Sequence, residues 1–332
     1  MLAESTSRLQ PTTAAPGKLV NFLQDRQASL ADGSRMLQET STVFVSQGVP
    51  LIGTFLRDVE AAGARQPALV IAGSWLNVKE QMAMLYARRL AAHGFTCFVF
   101  DFAGWGQSGG ALRHAELPSS KAVDLASAAR FVAAQSFVDA ERVGFVGVCA
   151  SAQYGLRALA EGARFHSYAS IAGWFHDADS VAPFYGGSAG VARRLQRAAA
   201  ALDHFVQRAE LVTVPAYAPG DERAGMSFEL DYYGNPARGA VSAWKNQMAE
   251  LSWPHWLHYD GLSPAAAVST PALLVHSDGC ALPDNAKRVH SALRGPKHLA
   301  WLDGNQQDYY DQPAQVDQAA AQLRGWFEET LR

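Results

Sequence analysis

The sequence predicts an α/β protein: a mostly parallel central sheet flanked by helices, with one inserted, mostly helical segment. Three observations predict it. Short apolar runs recur along the chain, among them PALVIAG (67–73), FTCFVFD (95–101) and SYASIAG (167–173). Segments of helical period lie between them, the arrangement of a parallel sheet covered on both faces. The alternation stops once, over residues 174–262, and then resumes, which reads as an insertion into a single sheet domain.

Taken in order, residues 1–17 are rich in Ser, Thr, Pro and Ala and predict a mobile tail. Leu19, Val20, Phe22, Leu23 and Leu30 predict an amphipathic helix over 18–38. Val43 and Val45, then Leu51, Gly53 and Phe55, alternate around Gln47-Gly48 and predict a hairpin. The strand 67–73 follows. Residues 78–94 have helical period and end on Gly94, a natural stop. After the strand 95–101, residues 119–135 form a helix capped by Ser119 or Ser120. Strand 141–148, helix 150–162 and strand 167–173 complete the first half. Within the insertion, 190–209 is helical. The tail of the domain reads strand 270–278, helix 284–293, strand 297–304 and helix 313–331. The organisation is therefore an N-terminal tail and helix (1–41), a core (42–173 and 263–332) and a lid (174–262).

Hydrophobic residues make up 48% of the 332 and charged residues 18%, enough for a sizeable buried core. A net charge of −3 advertises no basic face, which argues against nucleic acid or an anionic membrane as partner. Cys97, Cys149 and Cys280 lack metal-site or disulfide spacing, so no metal, no cofactor and a reducing compartment are expected. No apolar leader and no long apolar span occurs, and a cytoplasmic location is the expectation. The N-terminal helix or the lid offers surface for a homodimer.

One stretch carries chemistry. GFVGVCASAQYG (144–155) runs a strand into a Gly-x-Cys-x-Ser turn that opens a helix. A nucleophile on such a turn has a strained backbone and needs small neighbours, and Gly147, Ala150 and Ser151 supply them. The helix N-terminus beside Cys149 favours a thiolate. The bland reading is a buried, inert thiol. Asp101 at the end of its strand reads as a cap for the following loop.

With SWLNVKEQ (74–81), FDFAGWGQSGG (100–110), GVCAS (147–151) and VHSDGCALP (275–283) in this order, the chain resembles the α/β-hydrolase superfamily, and within it the dienelactone-hydrolase-like bacterial branch. The resemblance covers Thr42 to the C-terminus. It implies Cys149 as nucleophile and an oxyanion hole from the backbone of Ala150 and of Trp75 or Ser74. Two such donors matter, each contributing about 3–4 kcal/mol to an acyl-transfer transition state. It implies an acid after strand 270–278, for which Asp278 stands as candidate, although Cys280 occupies roughly the place where an acid falls. Asp278 serves equally well as a cap for the helix that follows.

The resemblance breaks at the base. Where the family has its His, in LDGNQQDYYDQP (302–313), this chain has Gln306, and Gln does not exchange protons near neutral pH. Three readings follow. A His from elsewhere substitutes: His176 after strand 167–173 first, then His255 or His258 from the lid. Or Cys149 ionises without a His. Or the triad is dismantled and Asp308, Tyr309 or Tyr310 moves protons without an acyl-enzyme. Trp105, Trp174, Phe175 and Tyr309 are placed at the substrate pocket, and the aromatic content of the lid suits an apolar or acyl small molecule, though a lid also needs aromatic residues for its own core. The function expected is acyl transfer or hydrolysis at an ester, thioester or lactone carbonyl. The alternatives are a non-hydrolytic cyclase, lyase or isomerase, and a ligand-binding protein without turnover.

Overall fold

The protein is described from a computed structural model, which covers residues 26–29, 36–58 and 65–332. The first strands are β1 (Arg26–Ser29), β2 (Met36–Ser46) and β3 (Val49–Asp58). They are followed by β4 (Gln66–Ala72), α1 (Met82–Ala91), β5 (Thr96–Phe100), α2 (Pro118–Ala133), β6 (Val138–Val148), α3 (Ser151–Ala160) and β7 (Ser167–Ile171). Between β7 and the next strand of the main sheet run α4 (Ala178–Val181), α5 (Gly187–Arg208), β8 (Thr213–Val214), α6 (Asp231–Gly234), β9 (Met248–Ala249) and α7 (Trp253–Leu257). The chain closes with β10 (Ala272–His276), α8 (Pro283–Ala292), β11 (Lys297–Trp301), α9 (Asp308–Asp311) and α10 (Pro313–Thr330).

Among the described residues the main sheet has nine strands in the order β1-β2-β3-β5-β4-β6-β7-β10-β11. From β5 to β11 every pairing is parallel, and β1 to β3 add an antiparallel edge. The central strands read as continuous apolar runs because both their faces are covered: β5 and β10 are buried at every position. The exchange of β4 and β5 has a consequence for function. It makes β4 and β6 neighbours, with Ala72 opposite Gly147, so the loops after these two strands open at the point where the chain order of the sheet reverses. Ligands of open α/β sheets bind at such a point.

Several expectations need correction. Where a helix is expected over 18–38, residues 26–29 and 36–38 are strand, and the rest, like the tail over 1–17, lies outside the described residues. The β2–β3 ladder runs unbroken from Ser46↔Val49 to Leu37↔Asp58, and this pairing overrides local helix propensity. The hairpin turns on Gln47 (φ 49) and Gly48 (φ 78), both left-handed as a two-residue turn of this twist requires. Its inward face, however, is Phe44 and Ser46, while Val43 and Val45 are 51% and 64% exposed. Apolar residues on both faces of β2 left the phase open. Helix α2 starts on Pro118, with Leu117 at the N-cap and Ser119 and Ser120 already in its first turn, because proline is preorganised for a first helical position. The segment between β7 and β10 has one long helix, α5. The rest is short helical turns, loops and the β8–β9 ribbon. No helix among the described residues is long and apolar enough to cross a membrane.

Candidate active site

Cys149 follows the last residue of β6 and has φ 56, a left-handed conformation that costs a non-glycine residue about 1–3 kcal/mol. Three backbone hydrogen bonds hold it there. Its N–H donates to Ile171 O (3.0 Å), and its carbonyl accepts from Ala152 N (3.1 Å) and Trp174 N (3.0 Å). The turn is tight enough that a Cβ on Gly147 would stand 2.6 Å from the backbone nitrogen of Ala152. Helix α3 begins two residues on and projects the thiol over the β4/β6 edge.

The backbone N–H groups of Trp75 and Ala150, the Tyr310 hydroxyl and the Gln306 amide lie near the sulfur and favour its charged form. Trp75 and Ala150 are the two positions expected for an oxyanion hole. Ser74 is not a donor to it; its N–H faces Met82 Sδ at 3.4 Å, and its hydroxyl shares a 2.5 Å hydrogen bond with Tyr233. The thiol is nevertheless not acidic. Burial raises its pKa above the ordinary thiol value, and the hydrogen bonds only partly offset this. The expected shift toward thiolate is thus reversed, because desolvation of a fully enclosed charge outweighs one helix terminus.

The loop carrying Trp75 is clamped by two buried carboxylates that sequence reasoning missed or placed only in part. Leu76, left-handed at φ 55, donates its N–H to Glu116 Oε2 (3.2 Å). Glu116 is fully buried and also accepts from Lys121 Nζ (2.8 Å) and Tyr154 OH (2.8 Å). Three residues on, Lys79 N donates to Asp101 Oδ1 (2.9 Å) and Lys79 Nζ to Asp101 Oδ2 (2.8 Å). Asp101 therefore organises this loop as well as its own, where it accepts from Gln107 N (3.0 Å). A signal for the Glu116 pair exists in the sequence: Lys121 lies in helical phase with Leu125, Ala128 and Val132 on the buried face of α2.

Among the described residues, no base stands on the opposite side of the thiol. Gln306 fills that place. Its Oε1 accepts from Ala281 N (2.9 Å), and its Nε2 donates to Ala172 O (2.7 Å) and Tyr310 OH (3.1 Å). Cys280 is buried nearby and takes a 3.2 Å hydrogen bond from Ser277 Oγ, while burial pushes its own pKa up to about 11. Asp278 is not brought to the site: its side chain is 80% exposed, with Lys287 Nζ at 3.8 Å. His176 is not brought there either. It is fully buried, its Nδ1 accepts from Trp174 Nε1 (2.8 Å) and its Nε2 meets Trp256 O at 2.8 Å. Burial lowers its pKa to about 4, so it is a neutral packing group between Trp174 and Trp256. His255 and His258 are exposed.

A cavity of about 60 Å³ opens over the sulfur. Trp75, Trp174, Tyr185 and Trp256 wall it on one side, Met226, Phe228, Leu230 and Tyr233 on another, and Gln306, Gln307 and Tyr310 close it. Trp75 stacks on Trp256 at 4.5 Å between ring centroids, so the loop after β4 and the segment between β7 and β10 share one aromatic wall. Of the expected pocket residues, Trp174 lines the cavity and three do not. Trp105 is turned away, donating to Ala115 O (3.0 Å) under the Lys121 ammonium. Phe175 is fully buried against Gly173. Tyr309 donates to Asp303 O (3.1 Å), whereas its neighbour Tyr310 faces the sulfur. Asp308 is spent on the turn, accepting from Asn305 N (2.7 Å). None of the lining residues is Asp, Glu, Lys, Arg or His.

No family model matches the chain. It is 27% identical over 300 residues to the uncharacterised protein PA2218 of Pseudomonas aeruginosa, spanning 86% of this chain and 78% of that one. It is 25% identical over 264 residues to the acyltransferase drtE of Aspergillus calidoustus, spanning 74% of this chain and 80% of that one. Among solved structures, the α/β-hydrolase GrgF from Penicillium sp. sh18 superposes with a TM-score of 0.74 at 19% identity, over 88% of this chain and 99% of that one. The fold is that of the α/β-hydrolases.

Proposed function

We propose that this protein is an acyl-transfer enzyme that receives an apolar acyl group from a thioester or activated ester on Cys149. One observation carries the reading: Cys149 sits on a left-handed corner, with the Trp75 and Ala150 N–H groups near its sulfur and an apolar cavity before it. When Cys149 Sγ bonds to the carbonyl carbon, the sulfur leaves the two N–H groups and the carbonyl oxygen takes its place there. The developing oxyanion then meets donors that need no reorganisation. Similarity to an acyltransferase supports the same class.

Gln306 sharpens the reading. With no imidazole beside the sulfur, water has no general base to activate it, and the acyl-enzyme outlives the one a complete triad would form. The acceptor is therefore a better nucleophile than water, or a group within the acyl chain itself. The second outcome is the cyclase reading.

Intact-mass analysis after mixing the protein with acyl thioesters tests the proposal. The expected result is a single adduct of the acyl mass, absent in Cys149→Ala, with turnover lowered by at least about a thousandfold in that variant. Turnover that survives Cys149→Ala would replace acyl transfer by non-covalent rearrangement. Tight retention of ligand without adduct or turnover would leave a binding protein.

A further inference from the structure

The acyl-transfer reading leaves one step without an agent. Cys149 begins as a thiol and must lose its proton, and the departing sulfur of the substrate must gain one. The groups lining the cavity that can exchange a proton are the thiol and the phenols of Tyr185, Tyr233 and Tyr310. Tyr185 accepts from Trp256 Nε1 at 2.9 Å.

Tyr310 is in contact with the sulfur, and Gln306 fixes which way the Tyr310 proton points. Ala281 N–H can only donate, so the Gln306 atom facing it at 2.9 Å is the carbonyl oxygen. The amide NH₂ then faces Ala172 O (2.7 Å), an acceptor only, and Tyr310 OH (3.1 Å). Tyr310 must therefore accept from Gln306, which leaves its own O–H free to donate elsewhere. The partners within reach are Cys149 and Tyr233. Tyr233 is in turn engaged by Ser74 Oγ at 2.5 Å, and Ser74 Oγ donates onward to Trp75 O at 3.4 Å. Because Ser74 Oγ donates to Trp75 O, Tyr233 donates to Ser74 and can accept from Tyr310; the direction that serves the thiol is therefore amide to Tyr310 and Tyr310 to Tyr233, which leaves the second lone pair of Tyr310 to the Cys149 thiol.

We propose that Tyr310, oriented by Gln306, is the catalytic proton carrier of this site. This rests on the acyl-transfer reading above. As Cys149 Sγ forms its bond to the carbonyl carbon, the thiol proton passes to the Tyr310 oxygen. The proton of Tyr310 passes to the substrate sulfur as the bond from that sulfur to the carbonyl carbon breaks. The products are the acyl-enzyme and a free thiol, and the phenol is regenerated. Each phenol oxygen has the capacity for this: one lone pair holds Gln306, the other receives, and the hydroxyl donates. Burial keeps the phenol protonated, which suits a carrier that never needs to hold a charge.

The test uses the full chain and one acyl group carried on two leaving thiols, an acidic aryl thiol and a basic alkyl thiol. Single-turnover acylation is followed by intact mass. An aryl thiolate leaves without a proton, and an alkyl thiolate needs one. With the aryl thioester the Cys149 proton still passes to Tyr310 and from there to water, so Tyr310→Phe should slow acylation by the aryl thioester about tenfold, one proton transfer being lost, and by the alkyl thioester about a hundredfold or more, two being lost. Gln306→Leu, which keeps the phenol but frees its orientation, should give the same selectivity at about tenfold; it carries the test if Tyr310→Phe does not fold. Tyr309→Phe should leave both rates unchanged. Equal losses on both thioesters, or no loss, would overturn the role of Tyr310. Failure of the unaltered protein to form any adduct would instead overturn the acyl-transfer reading beneath it.

Discussion

The two sides of Cys149 are built to different standards. On one side the loop after β4 presents the Trp75 N–H, and buried carboxylates hold it through Leu76 and Lys79. On the other, the loops after β10 and β11 present a thiol and an amide, Cys280 and Gln306, where the resemblance implies an acid and a base. On the proposed reading, the side that would hold a carbonyl oxygen is reinforced, and the side that would activate water is not. The difference teaches that capture and hydrolysis can then be separated in this scaffold, because they would depend on different loops and different side chains.

The strongest way to break this comparison is at Glu116. The carboxylate is fully buried, and Lys121, itself 3% exposed, depends on it. Burial already lowers the lysine's pKa against the raising effect of Glu116. Glu116→Leu should destabilise the fold by about 3–5 kcal/mol, since it strands a buried cation. It should also slow acylation of Cys149 by about 10²–10³, the loss of one oxyanion donor, because Leu76 is no longer pinned. Denaturant unfolding and intact-mass kinetics read the two effects separately. The double variant Glu116→Leu/Lys121→Met decides between them. It should recover most of the stability and none of the acylation rate. Recovery of both would make the pair mere structure and the oxyanion loop self-sufficient.

The same asymmetry governs what could be read from the sequence. The sheet was legible because buried parallel strands and their covering helices have unmistakable periods, and the elbow because only small residues tolerate its closeness: Gly147 has no room for a Cβ. Gln306 was legible as the residue beside the thiol, in the place where the resemblance implies a base, once the flanking motifs fixed the register. Side-chain choice within short elements was not. Tyr309 and Tyr310 are adjacent on the four-residue helix α9, too short for a hydrophobic period to say which one faces the cavity. His176 looked well placed because the sheet edge puts it near the thiol, but no sequence pattern announces that Trp174 and Trp256 satisfy both its nitrogens. Val43 and Val45 misled for a related reason: in a strand apolar on both faces, only tertiary contact sets the phase.

Gln306→His sharpens the comparison from the other side by restoring a base where the fold still has room for one. Acyl-enzyme hydrolysis, followed by loss of the adduct mass, should accelerate about 10-fold to 100-fold, the low end of general-base catalysis, because Cys280 cannot orient an imidazole as a carboxylate does. The thiol should report the same change. Its pKa is raised in the unaltered protein, so the thiol predominates throughout neutral pH and the thiolate fraction climbs with pH. Iodoacetamide labelling should therefore rise about tenfold per pH unit from about pH 6 to 9 without a plateau. Gln306→His should bring a plateau into that range. An unaltered labelling profile, with hydrolysis unchanged, would mean that the side lacking a base is closed to water for a reason other than Gln306.

The smallest effect is expected at Asp278, the residue that would stand for an acid if this side were intact. It points away from the thiol, is 80% exposed and has Lys287 Nζ at 3.8 Å. Exposed pairs of this kind contribute about 0–1 kcal/mol. Asp278→Asn should accordingly leave stability within about 0.5 kcal/mol and acylation within about twofold, measured by the same unfolding and mass kinetics. Asp278 also borders the loop that supplies Ala281 N–H to Gln306, so a disturbance of that loop would reach the Tyr310 hydroxyl through the amide. An acylation loss selective for alkyl over aryl thioesters would reveal such a path. A loss of tenfold or more on both would restore an electrostatic role to the exposed carboxylate, and with it some of the symmetry between the two sides.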